Sequence, residues 1–295
     1  MNFYTSSGLF KGLLLLSALL QVPLHAQNEY IDYRSATNPL YWKNRKPIES
    51  YWQQDVHYNI KAEINDSSDI LSGSEELTYW NNSPYSISYV YFHLYSNAQT
   101  KDSYLADLYK NNNYHLKFGK YRSQNLGTVV EKINVNGVEL KTELDNTILK
   151  VYLPKVLNSG ESMTLNLDFK TYFDREAIRN RMKLFNSFGK KHYDVVHWYP
   201  RITVIDQKFV WNTDQHMDHE FYGDFGSYHV EMTLPNNYVA DGTGVLTNEK
   251  EVLPDELRKK LDISNFLQKP FNAPPSEIIK RDGSKKIWKF SAINV

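Results

Sequence analysis

The sequence contains no cysteine among its 295 residues, which excludes disulfide bonds, thiol nucleophiles, thiolate zinc sites and lipid attachment through sulfur. It also lacks an excess of either charge, since 34 Lys and Arg side chains face 34 Asp and Glu side chains. Because nucleic-acid binding depends on a basic excess that contacts phosphate, nucleic acid is not expected as a partner. The length allows one large domain or two ordinary ones.

The motifs of several catalytic classes are missing as well. The chain has no G-x-S-x-G nucleophile turn, no Walker phosphate-binding loop and no H-E-x-x-H zinc helix. The nearest cluster of possible metal ligands is His216-Met217-Asp218-His219-Glu220, where no third ligand is fixed by spacing. We interpret it as a polar loop, with a self-sufficient hydrolase as the alternative. No residue is therefore assigned a catalytic or metal-binding role.

Long hydrophobic runs are also absent. The one apolar run, Gly12 to Leu20, follows Lys11 and is shorter than the ~20 residues of a membrane span. Pro23 and the small Ala26 come after it, and this layout predicts a cleavable signal peptide over residues 1–26, cut after Ala26. We therefore expect a secreted or periplasmic protein without a stable membrane span, an uncleaved anchor being the alternative.

Aromatic residues are abundant, at 14% of the chain with 22 tyrosines, which favours strands over helical bundles. Residues 27–50 are polar and aromatic and are interpreted as an N-terminal arm. From residue 51 to residue 295 the apolar residues alternate with a period of two. This pattern predicts a mostly β domain, an antiparallel β-sandwich or saddle with two or three short helices.

Individual elements are indicated by local signals. Asn136-Gly137 predicts a tight hairpin because both residues tolerate positive φ angles. Short helices are expected from Asp102 and after Pro254. The predicted strands are Val56 to Ile64, Ser74 to Trp80, Ile87 to Tyr95, Val129 to Val135, Val138 to Leu140, Leu149 to Leu153, Met163 to Phe169, Tyr228 to Leu234, Tyr238 to Leu246 and Trp288 to Ala292.

Two further stretches allow two interpretations each. Arg175, Arg179, Arg181 and Lys183 indicate either a solvated helix face or an anion-binding face. The last residues, up to Val295, keep a strand rhythm without a polar tail, which is typical of an edge strand or of a chain cut short of a further domain. We expect the second.

The densest unusual segment is Asp194-Val195-Val196-His197-Trp198-Tyr199-Pro200-Arg201, followed by Asp206 and Trp211. Such a segment is too polar for plain core and too aromatic to be left exposed without a cost. It could line a pocket that stacks and hydrogen-bonds a ligand. Alternatively, Arg201 could pair with Asp206 or Asp194 at a strand corner.

The same segment begins a resemblance that extends from about residue 51 to the end. The chain resembles the amino-terminal domain of the aminopeptidase N family of zinc metallopeptidases, and most closely its secreted bacterial branch. The stretches that carry the resemblance are Tyr58 to Ala62, Ser72-Gly73, Tyr89 to Leu94, His197 to Arg201 with Asp206 and Trp211, Glu220 to Gly226, Val230 to Pro235, Val239 to Gly244 and Trp288 to Val295.

The resemblance implies a saddle-shaped, non-catalytic β-domain that docks a catalytic domain and lines one wall of the substrate cleft. The missing domain would carry zinc and hydrolyse amino-terminal residues from peptides, so no cofactor is expected in this chain and it should be inactive alone. A Gln often precedes the Trp-Tyr-Pro-Arg run in this branch, and His197 stands there instead. A neutral imidazole can still accept one hydrogen bond from an amine.

The expected substrate-binding residues are therefore His197, Trp198, Tyr199, Arg201, Glu220 and Tyr222. The expected partners are the catalytic domain and a peptide substrate. The alternative from another class is a free-standing secreted β-sandwich that binds a peptide or glycan on aromatic platforms.

Overall fold

The computed structural model describes residues 32–174, 182–217 and 221–295. The predicted signal peptide, Arg175, Arg179, Arg181 and Glu220 lie outside these ranges. The strands are β1 (Asp55–Asn65), β2 (Ile70–Trp80), β3 (Ile87–His93), β4 (Thr128–Val135), β5 (Val138–Glu139), β6 (Thr142–Asp145), β7 (Ile148–Leu157), β8 (Ser162–Tyr172), β9 (Lys183–Ser187), β10 (Lys190–Asp194), β11 (Arg201–Ile202), β12 (Ile205–Asp206), β13 (Val210–Trp211), β14 (Gly226–Pro235), β15 (Val245–Leu246) and β16 (Lys285–Ile293).

Three short α-helices accompany the strands in the described ranges: α1 (Tyr104–Asn111), α2 (Glu249–Val252) and α3 (Asp255–Leu261). Helix α1 begins after Ser103, whose side-chain oxygen accepts a hydrogen bond from the Ala106 backbone N–H. Helix α3 begins directly after Pro254, with Asp255 and Glu256 in its first turn. Both predicted helices are thus confirmed. No helix in the described part of the chain is long and apolar enough to cross a bilayer.

The largest sheet has eight strands in the order β15-β16-β14-β1-β2-β8-β4-β5. Neighbouring strands in it are antiparallel, except that β1 and β14 run parallel. A four-stranded antiparallel sheet has the order β11-β3-β7-β6, and β9/β10 and β12/β13 form separate hairpins.

The two larger sheets pack face to face through alternating apolar residues. In β1 every second residue from Val56 to Ile64 is buried, while the residues between them are at least partly exposed. These side chains share one hydrophobic core with Val90 and Phe92 of β3 and Val151 of β7. The predicted fold class, a mostly β sandwich with two or three short helices, is confirmed.

The hairpin predicted at Asn136-Gly137 is present, with φ angles of 51° and 80° that match the expected turn. The strand predicted over Tyr238 to Leu246 was wrong for most of its length. Only Val245 and Leu246 pair with β16, while residues 238–244 lie outside the ladder. Gly244 adopts φ +100° there, and an added Cβ would lie 2.3 Å from the Ser291 carbonyl oxygen, so glycine is required where the chain rejoins the sheet.

The described part of the N-terminal arm is fixed to the start of β1 by one buried carboxylate. Asp55 accepts hydrogen bonds from Arg34 Nε (2.9 Å), Tyr41 Oη (2.9 Å), Trp42 Nε1 (2.8 Å) and Asn82 Nδ2 (2.9 Å). Four donors on one carboxylate, one of them cationic, satisfy a charge that would otherwise be costly to bury.

Candidate functional site

The segment from His197 to Arg201 lies where the small sheet meets the large one. Arg201 and Ile202 form β11, which pairs with the end of β3 so that Arg201 lies opposite His93. The Ile202 backbone N–H donates to the hydroxyl of Tyr58 on β1 at 3.1 Å. The strand pairing and this hydrogen bond together hold the segment against both sheets.

Three tyrosine rings form the floor of the site. Tyr58 stacks on Tyr228 with ring centroids 4.8 Å apart, and Tyr199 packs edge-on against Tyr58 at 5.4 Å. The Tyr199 hydroxyl donates to the Tyr228 hydroxyl at 3.3 Å. Burial raises the pKa of all three phenols, so they remain neutral at physiological pH.

Arg201 lies beside this tyrosine floor, and its guanidinium makes one hydrogen bond to the described residues, from Nη2 to the Asp224 carbonyl oxygen at 3.3 Å. In the described ranges no carboxylate oxygen lies within 4.0 Å of its guanidinium. The structural alternative, an ion pair with Asp206 or Asp194, is therefore wrong. Asp206 instead accepts a 2.6 Å hydrogen bond from the Tyr222 hydroxyl.

His197 belongs to an aromatic cluster made of His93, Tyr95, His197, His216 and Phe221. Its ring centroid lies 3.6 Å from that of Phe221 and 5.1 Å from that of Tyr95. His93 stacks on Tyr95 with ring centroids 4.7 Å apart, and the rings of His216 and Phe221 lie 4.6 Å apart. His197 has a φ angle of +55°, which is unusual for a residue with a Cβ atom.

The loop that carries His216 is anchored to the turn between β6 and β7. Gln215 Oε1 accepts hydrogen bonds from the Thr147 backbone N–H (3.0 Å) and hydroxyl (2.7 Å), and its Nε2 donates to the Asp145 carbonyl oxygen (2.9 Å). The Thr147 hydroxyl oxygen also accepts from the His216 backbone N–H at 3.1 Å. These bonds position one side of the aromatic cluster.

The remaining predicted site residues lie at different depths. Trp198 packs near Phe169, and its carbonyl oxygen accepts a 2.7 Å hydrogen bond from the Thr171 hydroxyl of β8. Tyr222 is 43% exposed at the surface, and Tyr199 forms part of the tyrosine floor. The structure thus brings His197, Trp198, Tyr199 and Arg201 together, and places Tyr222 at the rim next to Asp206.

Sequence reasoning missed several members of this site. His93 and Tyr95 were predicted only as the last residues of a strand. Their polar groups at the end of an otherwise apolar strand were a signal that could have placed them in the site. Asp224 is buried, and burial raises the pKa of its carboxyl well above the usual range. Tyr58 and Tyr228 could have been found from their place on the apolar faces of β1 and β14, where a hydroxyl must find a partner.

A cavity of about 1260 Å³ opens beside the tyrosine floor. Its base is the inner face of β1, β14 and β16, and its cover is formed by the segments 189–196, 237–243 and 275–279 together with Trp198 and Tyr199. Among the site residues, Trp198, Tyr199, Arg201 and Tyr228 line it, and its apolar base includes Ile60, Val230, Met232, Phe290 and Ala292.

The described residues do not fit a zinc ion. They contain no group of three or more His, Asp or Glu side chains placed to hold a metal. In the aromatic cluster the imidazoles of His93, His197 and His216 pack against the rings of Tyr95 and Phe221. Asp218, His219 and Glu220 of the alternative hydrolase cluster lie outside the described ranges.

No protein-family profile and no curated protein matches the chain. Solved structures similar to it include the M1 zinc metallopeptidase from Deinococcus radiodurans, with 15% sequence identity over 81% of this chain and 39% of that one, and a TM-score of 0.43. A point mutant of that enzyme bound to a Tyr-Ser-Ala substrate matches with the same values. A two-domain M1 zinc metallopeptidase mutant bound to L-tryptophan matches at 16% identity, with the same coverage and TM-score. The chain spans about two fifths of the length of these structures.

Proposed function

We propose that this chain is the non-catalytic N-terminal β-domain of a secreted zinc metallopeptidase of the aminopeptidase type. It would line one wall of the substrate cleft and dock the catalytic domain, which would bind zinc and hydrolyse amino-terminal residues from peptides. The observation that carries the proposal is the convergence of separate stretches that resemble this family. Arg201 pairs with His93, Ile202 bonds to Tyr58, Tyr199 bonds to Tyr228, and Arg201 bonds to Asp224.

The site residues would then have distinct roles. His197, beside Tyr95 and Phe221, would accept a hydrogen bond from the free amine of the peptide, since a neutral imidazole nitrogen is an acceptor. Trp198, Tyr199 and Arg201 would shape the cleft wall behind it, and Tyr222 would contribute from its rim. Glu220 would be a further substrate-binding residue. The exopeptidase reaction itself would belong to residues outside this chain.

The proposal is tested by expressing the complete coding region that contains this sequence and assaying it on an aminoacyl p-nitroanilide. We expect zinc-dependent hydrolysis, and none from residues 27–295 alone. His197→Ala should raise KM about five-fold with little change in kcat, because a hydrogen bond contributes roughly 1 kcal/mol. His197→Gln should restore KM, and the exposed His192→Ala is the matched control.

Two results would contradict the proposal. One is a coding region that ends at Val295 with a stable product that binds peptides or glycans, which would favour the free-standing binding module. The other is stoichiometric zinc and hydrolysis in the isolated chain, which would favour the hydrolase alternative. An unchanged KM in His197→Ala would remove His197 from the cleft while leaving the domain assignment intact.

A further inference from the structure

The cavity beside the tyrosine floor is large for a space inside one domain. Its volume of about 1260 Å³ exceeds the ~300–1,000 Å³ typical of pockets that enclose small ligands. The inner sheet face at its base is apolar, with Ile60 from β1, Val230 and Met232 from β14 and Phe290 from β16. An apolar surface of this kind gains free energy when a hydrocarbon replaces water on it.

One end of the cavity carries a cation with unused hydrogen-bonding capacity. A guanidinium has five N–H donors, and Arg201 uses one of them, toward the Asp224 carbonyl oxygen. Within the described ranges the other four have no acceptor. A guanidinium with adjacent free N–H groups matches a carboxylate, which can accept two parallel hydrogen bonds from it.

The charge of Arg201 is also not neutralised locally. The nearby phenols of Tyr58, Tyr199 and Tyr228 are neutral, and no carboxylate of the described residues lies within ion-pair distance. The buried Asp224 carboxyl interacts with the charge of Arg201, but burial raises the pKa of that carboxyl well above the usual range, which favours its neutral form. Glu75 is buried in the same core, and burial raises the pKa of its carboxyl well above the usual range, which favours its neutral form. A half-buried, uncompensated cation next to an apolar cavity favours an anionic ligand group.

The second arginine that lines the cavity differs on this point. Arg281 donates to Asp66 from Nη1 at 2.5 Å and from Nη2 at 3.0 Å, which is a bidentate ion pair. Lys191, also at the cavity wall, bonds to Asp69 at 2.6 Å. Both cations are therefore already paired with carboxylates, and Arg201 is the better hydrogen-bond donor for a ligand anion.

We propose that this cavity binds a carboxylate that carries an apolar chain, with the carboxylate on Arg201 and the chain on the face of β1, β14 and β16. The ligand class is that of a medium- or long-chain fatty acid. This site lies within the β-domain. It shares Trp198, Tyr199 and Arg201 with the wall of the proposed peptidase cleft, but it does not require a catalytic domain.

The test measures binding of dodecanoate to the purified chain by isothermal titration calorimetry. Dodecan-1-ol, which has the same chain without the charge, serves as the matched ligand. We expect saturable binding of dodecanoate at one site and at least ten-fold weaker binding of the alcohol, since a charge-assisted bidentate pair supplies roughly ten- to hundred-fold in affinity.

Three variants locate the ligand. Arg201→Gln should weaken dodecanoate binding roughly ten- to hundred-fold and leave dodecan-1-ol binding unchanged. Arg281→Gln, at the paired arginine, should change dodecanoate binding less than three-fold. Ala240→Phe, which places a ring into the cavity from its cover, should weaken both ligands. Each variant is first compared with the unsubstituted chain by circular dichroism and thermal unfolding.

The proposal is overturned by any of three results: no saturable binding of dodecanoate, equal binding of acid and alcohol, or a larger loss in Arg281→Gln than in Arg201→Gln. If Arg201→Gln fails to fold, the comparison between acid and alcohol on the unsubstituted chain, together with Ala240→Phe, still decides it. None of these readouts involves peptide hydrolysis, so the outcome is independent of the proposed function.

Discussion

The guanidinium of Arg201 lies directly against Gly223, so closely that a Cβ atom at residue 223 would be 2.1 Å from Nη2 and 2.2 Å from Cζ. Glycine is therefore needed at this position for a steric reason: it makes room for the end of a long side chain. The contact couples the loop before β14 to the cation that faces the cavity.

Gly223→Ala should displace the Arg201 guanidinium rather than the backbone, because the clashing atoms are the far end of a flexible side chain. We expect a stability loss below about 1 kcal/mol but an approximately ten-fold loss of dodecanoate affinity. Gly160→Ala is the control, since residue 160 does not line the cavity and an added Cβ there would meet nothing within 4 Å, while its φ of +81° gives a stability cost without a contact to Arg201. Equal dodecanoate affinity in the two variants would contradict the expected displacement.

His93 should make the protein less stable in mild acid. Burial, with a smaller effect from the charge of Arg201, lowers the pKa of His93 from 6.5 to about 4. The unfolded chain therefore binds a proton between pH 6.5 and pH 4 that the folded chain does not, so stability falls as the pH decreases through this window. The total for this residue is about 3 kcal/mol.

His93→Phe, which keeps an aromatic ring against Tyr95, should remove most of that dependence in urea unfolding curves measured from pH 7 to pH 4. Burial also lowers the pKa of His57, which adds a decline of the same sign that the variant retains. The exposed His115→Phe is the control and should keep the full dependence. A variant at residue 93 with an unaltered pH profile would contradict the argument.

Glu75 should act in the opposite direction. It is 2% exposed, neither of its carboxyl oxygens has a hydrogen-bond partner among the residues that the structure describes, and burial raises the pKa of its carboxyl well above the usual range. The folded chain then holds a proton that the unfolded chain releases as the pH rises above about 4.3, so this group costs stability at neutral pH.

Glu75→Gln should therefore raise the free energy of unfolding at pH 7.5, by about 1 kcal/mol or more, and the gain should shrink toward pH 4. Its neighbour Glu76 is exposed, and Glu76→Gln should change the free energy of unfolding by less than about 0.5 kcal/mol. A loss of stability in Glu75→Gln at pH 7.5 would show that the carboxylate is used in the folded state.

Asp55 should be a large single contributor to the docking of the arm. Asp55→Asn removes the negative charge that pairs with Arg34. It also replaces one carboxylate oxygen by an NH2 group, which cannot accept the hydrogen bonds that the four surrounding donors make to Asp55. We expect a loss of about 3 kcal/mol in chemical unfolding, together with faster proteolysis within residues 32–50. Glu49→Gln, in the exposed end of the arm, is the control. Unchanged proteolysis in Asp55→Asn would mean that the arm is held elsewhere.

The fold was predictable wherever one local signal decided the structure. The alternation in β1, the Asn136-Gly137 turn and the short helix expected from Asp102 each depend on a few adjacent residues. The strand predicted over Tyr238 to Leu246 was wrong for most of its length because the chain rejoins the sheet only after Gly244. Where a loop rejoins a sheet is not encoded in the local alternation of apolar residues.

The candidate site was predictable only in part for a similar reason. His197 to Arg201 stood out as a segment, whereas Tyr95, Phe221 and Tyr58 reach it from other elements. One of the two interpretations of this segment, an ion pair of Arg201 with Asp206 or Asp194, was wrong because acids that are near in sequence are not near in the fold. The folded chain places Tyr222 on Asp206 and a glycine against the guanidinium.

The parallel pairing of β1 with β14 has a consequence for biosynthesis. Its partners, such as His57 and Ser227, are 170 residues apart in the chain. At ~5–20 residues per second, a ribosome needs on the order of 10–30 s to deliver β14 after β1 has emerged. During that interval one edge of β1 has no strand beside it and can pair with other nascent chains. A chaperone that holds extended segments, or rapid export, would protect the newly made protein over this interval.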